Sequence, residues 1–217
     1  MIKKIAFITN ICSHYRIKAF EKLAERYLVD FYFFSAGKDW YWQQEHGISK
    51  GRFNHKYLSG FHIGHTRITP LLPFFLLREN YDVYIKCING LFALPTTYFI
   101  ARIKKKPFIL WTGIWMDLGT VHQKILLPFT QYLYHHADAI VVYGNHVKDF
   151  LIKKGVQENR IFIAKQAVNN DYFSQSVSSQ DIEQFYDRFK IDKDQKIVLF
   201  LGRMEPEKGI TYLISAF

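Results

Sequence analysis

Cysteine is scarce in this 217-residue chain, with only Cys12 and Cys87. Neither has metal-ligand spacing, and two isolated thiols build no disulfide scaffold, so a reducing cytosol is the natural compartment. Glycine is missing where a dinucleotide site would need it. The first apolar strand, Lys3 to Thr9, runs into Asn10-Ile-Cys-Ser-His-Tyr-Arg16 without a G-x-G-x-x-G turn, which argues against a nicotinamide or flavin site. Long hydrophobic runs are absent as well. Nothing approaches the roughly 18 apolar residues that span a bilayer; Pro70 to Leu77 comes nearest and is too short. The opening Met1 to Thr9 is too short an apolar run for a signal peptide. Acidic residues are in deficit, 19 against 29 lysines and arginines, for a net charge of +10. No repeat or low-complexity tract is visible.

Aromatics are abundant: 20 Phe, 14 Tyr and 4 Trp make 18% of the residues, within a 49% hydrophobic total. That content fits a sizeable core, with some rings left for an acceptor or membrane-facing surface. The positive balance favours anionic partners. No aromatic-and-basic recognition motif for nucleic acid occurs, so nucleic acid is not an expected partner. The densest basic run, Arg102 and Lys104 to Lys106, reads either as a complement to a helix C-terminal dipole or as a patch for an anionic membrane surface.

Taken in order, the chain alternates strand and helix patterns: strands at 3–9, 28–35, 52–58, 83–86, 108–111, 139–142 and 197–201, helices at 15–27, 71–79, 94–105, 124–136, 146–154 and 182–189. Asn145 reads as an N-cap and Gly155 as a C-cap. The aromatic-rich 36–51 stretch has no clear period. Short connections throughout predict an α/β fold with a doubly wound, mostly parallel sheet. Residues 1–169 read as a Rossmann-like domain, 170–195 as a polar linker with a short helix, and 196–217 as the first strand and helix of a second domain.

Two stretches carry chemistry. After the strand Phe108 to Trp111, the loop Thr112 to His122 brings Trp111, Gly113, Asp117 and His122 to a strand's carboxyl end, where α/β sheets place ligands. Asp117 or His122 could orient or deprotonate a hydroxyl. Near the C-terminus, the apolar run Ile197 to Leu201 is followed by Gly202, Arg203, Lys208, Gly209 and a helix start. A strand, a glycine turn and two cations suggest a phosphate site; the plainer reading is an ordinary βα turn with solvated charges. The adjacent His135 and His136 make a poor metal pair, because successive helical residues diverge.

The segment 198–217, VLFLGRMEPEKGITYLISAF, resembles the start of the donor-binding domain of GT-B glycosyltransferases of family 4. The segment 136–173, HADAIVVYGNHVKDFLIKKGVQENRIFIAKQAVNNDYF, is similar to that family's last N-terminal units, with Gln166 for the usual Asn and Asn169 for the usual Asp. The segment 8–25, ITNICSHYRIKAFEKLAE, is similar to its first βα unit. The resemblance implies that Gly202, Arg203 and Lys208 hold the diphosphate of a nucleotide-sugar donor. It places His14, Tyr15 and Arg16 on the acceptor side, with Trp111 and Gly113 where the family more often has His-Gly or His-Asp.

The implied activity is sugar transfer, with retention, to a polysaccharide, lipopolysaccharide or lipid-linked acceptor. No cofactor and no metal are expected, since cations and a helix dipole would stabilise the leaving diphosphate. The implied setting is cytoplasmic, peripheral on the inner face of the cell membrane. The chain stops shortly into the donor domain, so it is expected to be an N-terminal fragment with little activity alone. The alternative is a non-catalytic acceptor- or membrane-binding module that needs a separate donor half.

Overall fold

The computed structural model describes residues 2–35, 53–64, 66–117, 121–192, 194–202, 204 and 208–217, without the side chains of 14 and 121–126. The aromatic stretch 36–51 and Arg203 lie outside the described residues. The chain divides into two compact units, Met1–Asn170 and Asp171–Phe217.

The first unit is built on seven strands: β1 Lys4–Thr9, β2 Leu28–Phe33, β3 Asn54–Tyr57, β6 Val83–Cys87, β7 Phe108–Trp111, β8 Ala139–Val142 and β9 Ile161–Ile163. They form one sheet in the order β3-β2-β1-β6-β7-β8-β9, parallel at every pairing. Two further strands, β4 Phe61–Ile63 and β5 Thr66–Ile68, make an antiparallel hairpin that the sequence pattern did not reveal.

Strand periodicity explains the two cores. Successive side chains point to opposite faces, so Ala6 and Ile8 of β1 enter one cluster with Tyr32, Tyr84, Phe108, Leu110 and Ile140. Ile5 and Phe7 enter the other with Val29, Phe31 and Phe33. The first face is covered by α2 Leu71–Arg78, α3 Ala93–Ile103, α4 Val121–His136 and α5 Asn145–Lys153, which contribute Leu72, Leu76, Ala101, Leu133 and Leu151. The second carries α1 Ile17–Arg26, docked through Phe20 with Ile17, Leu23 and Ala24 beside it.

The aromatic surplus is spent largely here. Phe20 lies 4.7 Å from Phe31 between ring centroids and Phe31 4.9 Å from Phe53. On the other face, the buried Tyr32 and Tyr81 hydroxyls meet at 2.7 Å and Tyr81 donates to Asp30 Oδ2 at 2.7 Å. Burial raises both phenol pKa values.

Three local expectations are corrected. Asn145 is not the cap: Gly144 holds the N-cap position without a side-chain bond, and Asn145 opens α5. The helix expected from Lys124 starts at Val121, so His122 sits in its first turn rather than in the loop. The run Ile197–Leu201 is no strand. It belongs to the second unit with α6 Asn170–Phe173 at its border, α7 Ser179–Phe189 and α8 Ile210–Ser215. Among the described residues it joins no ladder, and Leu199 and Leu201 are exposed. A strand exists only through a neighbour's hydrogen bonds, and an apolar run alone does not supply them. Within that unit α7 is the best-formed element, its Ser178 cap accepting from Asp181 N at 3.1 Å.

Truncating Phe31 to Ala removes the ring on which Phe7, Phe20 and Phe53 converge. It should cost about 3–5 kcal/mol in urea unfolding. Tyr81→Phe should cost about 1–3 kcal/mol by leaving the Tyr32 hydroxyl without its partner. Values within error of zero would contradict this packing.

Candidate functional site

Strand order reverses between β1 and β6, because β1 is followed on one side by β2 and on the other by β6. Such a switch point opens a crevice at the carboxyl edge of the sheet. A cleft of about 290 Å³ lies there. Thr9, Asn10 and Ser13 come from the end of β1, Cys87, Ile88 and Asn89 from the end of β6, and Trp111 and Gly113 from the end of β7. Tyr143 follows β8 and Gln166 follows β9, while Tyr15 and Arg16 rise from the turn into α1.

The floor beside β6 is set by a buried lysine. Lys86 is fully buried in the strand. Its Nζ donates to the Cys87 and Asn89 carbonyls, each at 2.6 Å, and lies 4.6 Å from the Phe34 ring centroid. Burial pulls its pKa down to about 7, while the two carbonyl acceptors favour the ammonium. The neutral amine retains two N–H donors, enough for the same pair of carbonyls. Gly90 closes the loop with φ +87°, and a Cβ there would stand 2.7 Å from the Phe34 ring. Only glycine fits this turn.

Four of the residues that the resemblance places on the acceptor side, Tyr15, Arg16, Trp111 and Gly113, line the cleft together. The Arg16 guanidinium lies 5.8 Å from the Tyr15 ring and 6.0 Å from the Trp111 ring. His14 begins the same turn, but its side chain and that of His122 lie outside the described residues. Asp117 is not brought in. Its Oδ2 accepts from Lys154 Nζ at 2.7 Å, and it faces a separate small pocket with Tyr134 and Phe150.

The sequence reading missed Lys86, Asn89 and Tyr143. Tyr143 Oη meets His146 Nε2 at 3.0 Å at the cleft's edge. The available signal for Lys86 was a lone cation inside the apolar strand Val83–Cys87. Of the donor-side candidates, Gly202 and Lys208 lie in the second unit, Lys208 just ahead of α8. One Asp-x-Asp triplet exists, Asp192-Lys193-Asp194. Among the described residues, no group of three or more His, Cys, Asp or Glu gathers as metal ligands.

No protein-family profile and no curated protein matches the chain. Solved structures do. Anabaena Alr3699/HepE in complex with UDP-glucose aligns with 99% of this chain and 57% of its own at TM-score 0.69 and 15% identity. Its complex with UDP and glucose gives 0.70 and 16%, over the same shares of the two chains. A Listeria monocytogenes chain assigned as a UDP-N-acetylglucosamine 2-epimerase gives 0.54 and 12%, over 98% of this chain and 66% of that one. These likenesses establish the fold, a Rossmann-like α/β unit of GT-B type. The chain spans a little over half the length of HepE.

Between about pH 7 and 10.5 the unfolded chain holds the Lys86 proton more than the folded chain does. Stability should therefore climb with pH across that window. Comparing Lys86→Met with wild type from pH 6 to 9 by urea titration should isolate this slope, which the variant lacks. Parallel pH dependences in the two proteins would contradict a buried amine that loses its proton on folding.

Proposed function

We propose that this chain supplies the acceptor side of a retaining glycosyltransferase of family 4, which moves a sugar from a nucleotide-sugar to a saccharide or lipid-linked acceptor. The observation that carries this reading is the fold match over 99% of the chain to a protein crystallised with UDP-glucose, together with a cleft at the switch point. Fold alone leaves epimerisation open. The Gly-Arg…Glu-Lys-Gly spacing at 202–209 favours transfer.

The reaction asks the protein for charge at a departing diphosphate and a positioned acceptor hydroxyl. Arg203 and Lys208 are the residues assigned to the first task. Tyr15, Arg16, Trp111 and Gly113 hold the acceptor, with Asn89 set by Lys86. Asp117 and His122 remain the sequence-based candidates for proton transfer, although the Asp117–Lys154 pair favours a structural role for Asp117. Tyr143 lines the cleft, and its hydroxyl meets His146 Nε2 at 3.0 Å.

A peripheral setting on an anionic membrane is supported by surface chemistry. No helix among the described residues is long and apolar enough to cross a bilayer. Helix α2 nevertheless exposes Leu71, Phe74 and Leu77, and its neighbour α3 exposes Phe99 and Ile103. The basic run follows α3, though Lys106 faces Asp82 at 3.9 Å and Lys104 bonds the Glu79 carbonyl.

Calorimetric titration of UDP into the 217-residue chain tests the donor assignment. Arg203→Ala and Lys208→Ala should each weaken binding by about ten- to a hundredfold, as loss of a charge-assisted hydrogen bond would. Affinity unchanged in both variants would overturn the assigned grip. Absence of UDP binding with retained saccharide binding would favour a non-catalytic acceptor module. For the membrane, Lys104, Lys105 and Lys106 changed together to Glu should lower partitioning onto anionic vesicles by on the order of a hundredfold or more. Undiminished sedimentation would sink that part.

A further inference from the structure

The cleft has a larger neighbour. A cavity of about 550 Å³ adjoins it, and Tyr15, Arg16, Trp111 and Gln166 line both. The two spaces differ in chemistry. The cleft offers Thr9, Asn10, Ser13 and Asn89, all hydrogen-bonding groups. The larger cavity is walled mainly by Phe7, Ala19, Phe20, Leu23, Ala167 and Val168.

Arg16 stands at the junction. It is partly buried, is flanked by the Tyr15 and Trp111 rings, and makes no ion pair among the described residues. Among the described residues no aspartate or glutamate lines either space, whereas Lys165 lines the larger one. A half-buried guanidinium held by ring contacts, with no carboxylate partner among the described residues, keeps its donors available to an anion. Its planar fork suits the two oxygens of a phosphate.

A polar cleft, an unpaired arginine and an apolar cavity, in that order, match three parts of one molecule. We propose that the acceptor is an anionic amphiphile, a phosphate-bearing lipid. Its chain lies in the larger cavity, its phosphate on Arg16, and its saccharide or terminal hydroxyl in the cleft. This rests on the transfer reading and narrows its acceptor to lipid phosphates. A neutral polysaccharide would leave both Arg16 and the apolar space unused.

The probes are octyl phosphate, butyl phosphate, inorganic phosphate and 1-octanol, titrated calorimetrically into the 217-residue chain below micellar concentrations. Octyl phosphate should bind at least about tenfold tighter than each of the others, since four further buried methylenes alone can contribute on the order of a hundredfold. Arg16→Gln should reduce octyl phosphate to the affinity of octanol. Ala19→Phe, at an exposed position of α1 bordering the cavity, should erase the octyl-over-butyl preference and keep inorganic phosphate affinity.

Equal affinity for octyl phosphate and octanol would mean an apolar cavity without an anion site, and equal affinity for octyl and inorganic phosphate an anion site without a lipid channel. Either result overturns the proposal. The chain-length series and Ala19→Phe decide the matter even where Arg16→Gln fails to fold. Transfer to a neutral saccharide without octyl phosphate binding would defeat this inference and leave the transfer reading standing. Octyl phosphate binding as stated, without any UDP binding, would leave a lipid-phosphate site but defeat the transfer reading, and with it the assignment of that lipid as acceptor.

Discussion

Lys86 ends on two carbonyl oxygens, and the carboxyl edge of the sheet is arranged around that contact. The residue belongs to a strand whose neighbours pair on both sides, so its backbone cannot shift to bring the nitrogen to water. The loop comes to the lysine instead. Cys87 and Asn89 turn their carbonyls inward to Nζ, Gly90 takes a left-handed conformation against Phe34, and α3 starts with Leu94 N bonded to the Gly90 carbonyl at 2.9 Å. Desolvation opposes this arrangement and hydrogen bonding supports it. A buried polar group is tolerated when its donors are satisfied, and here satisfying them fixes one wall of the cleft.

The opposite wall follows from the start of α1. Arg16 N bonds the Ser13 carbonyl at 2.8 Å, which folds the chain after β1 into a tight turn and carries Tyr15 and Arg16 over the sheet edge. The Trp111 ring lies against the Arg16 guanidinium and packs edge-on to Phe7. The cleft is thus framed by backbone turns at both sides of the switch point, and its chemistry is polar, aromatic and cationic. Hydroxyl and amide groups from the strand ends, aromatic rings and one guanidinium meet there.

Much of the architecture was legible in the sequence because its signals are local. Buried strands such as Phe108–Trp111 read as short apolar runs, and their alternation with amphipathic helices specified a parallel sheet. The hairpin Phe61–Ile68 escaped because it contributes little to either core and shows only three residues per strand. Ile197–Leu201 misled for the complementary reason: it has a strand's composition, but strand formation depends on a partner that composition does not report. At the site, Trp111 and Gly113 were recoverable from their position after a strand, and Tyr15 and Arg16 through the family resemblance of the first βα unit. Lys86 was not, because what it does depends on carbonyls whose orientation appears only in three dimensions. Asp117 was placed in the right loop, but its pairing with Lys154 is a contact across 37 residues that no local pattern encodes.

Amide hydrogen exchange in Lys86→Met tests the central claim, that this side chain holds the cleft wall. The amides of Ile88 and Leu94 are bonded to Trp111 and Gly90 carbonyls, so they report on the loop's two ends. The account predicts that both lose protection in the variant, while the amides of Phe7 and Phe31, inside the sheet, exchange as in wild type once the change in global stability is subtracted. Unchanged protection at Ile88 and Leu94 would contradict it, because the loop would then keep its shape without the lysine.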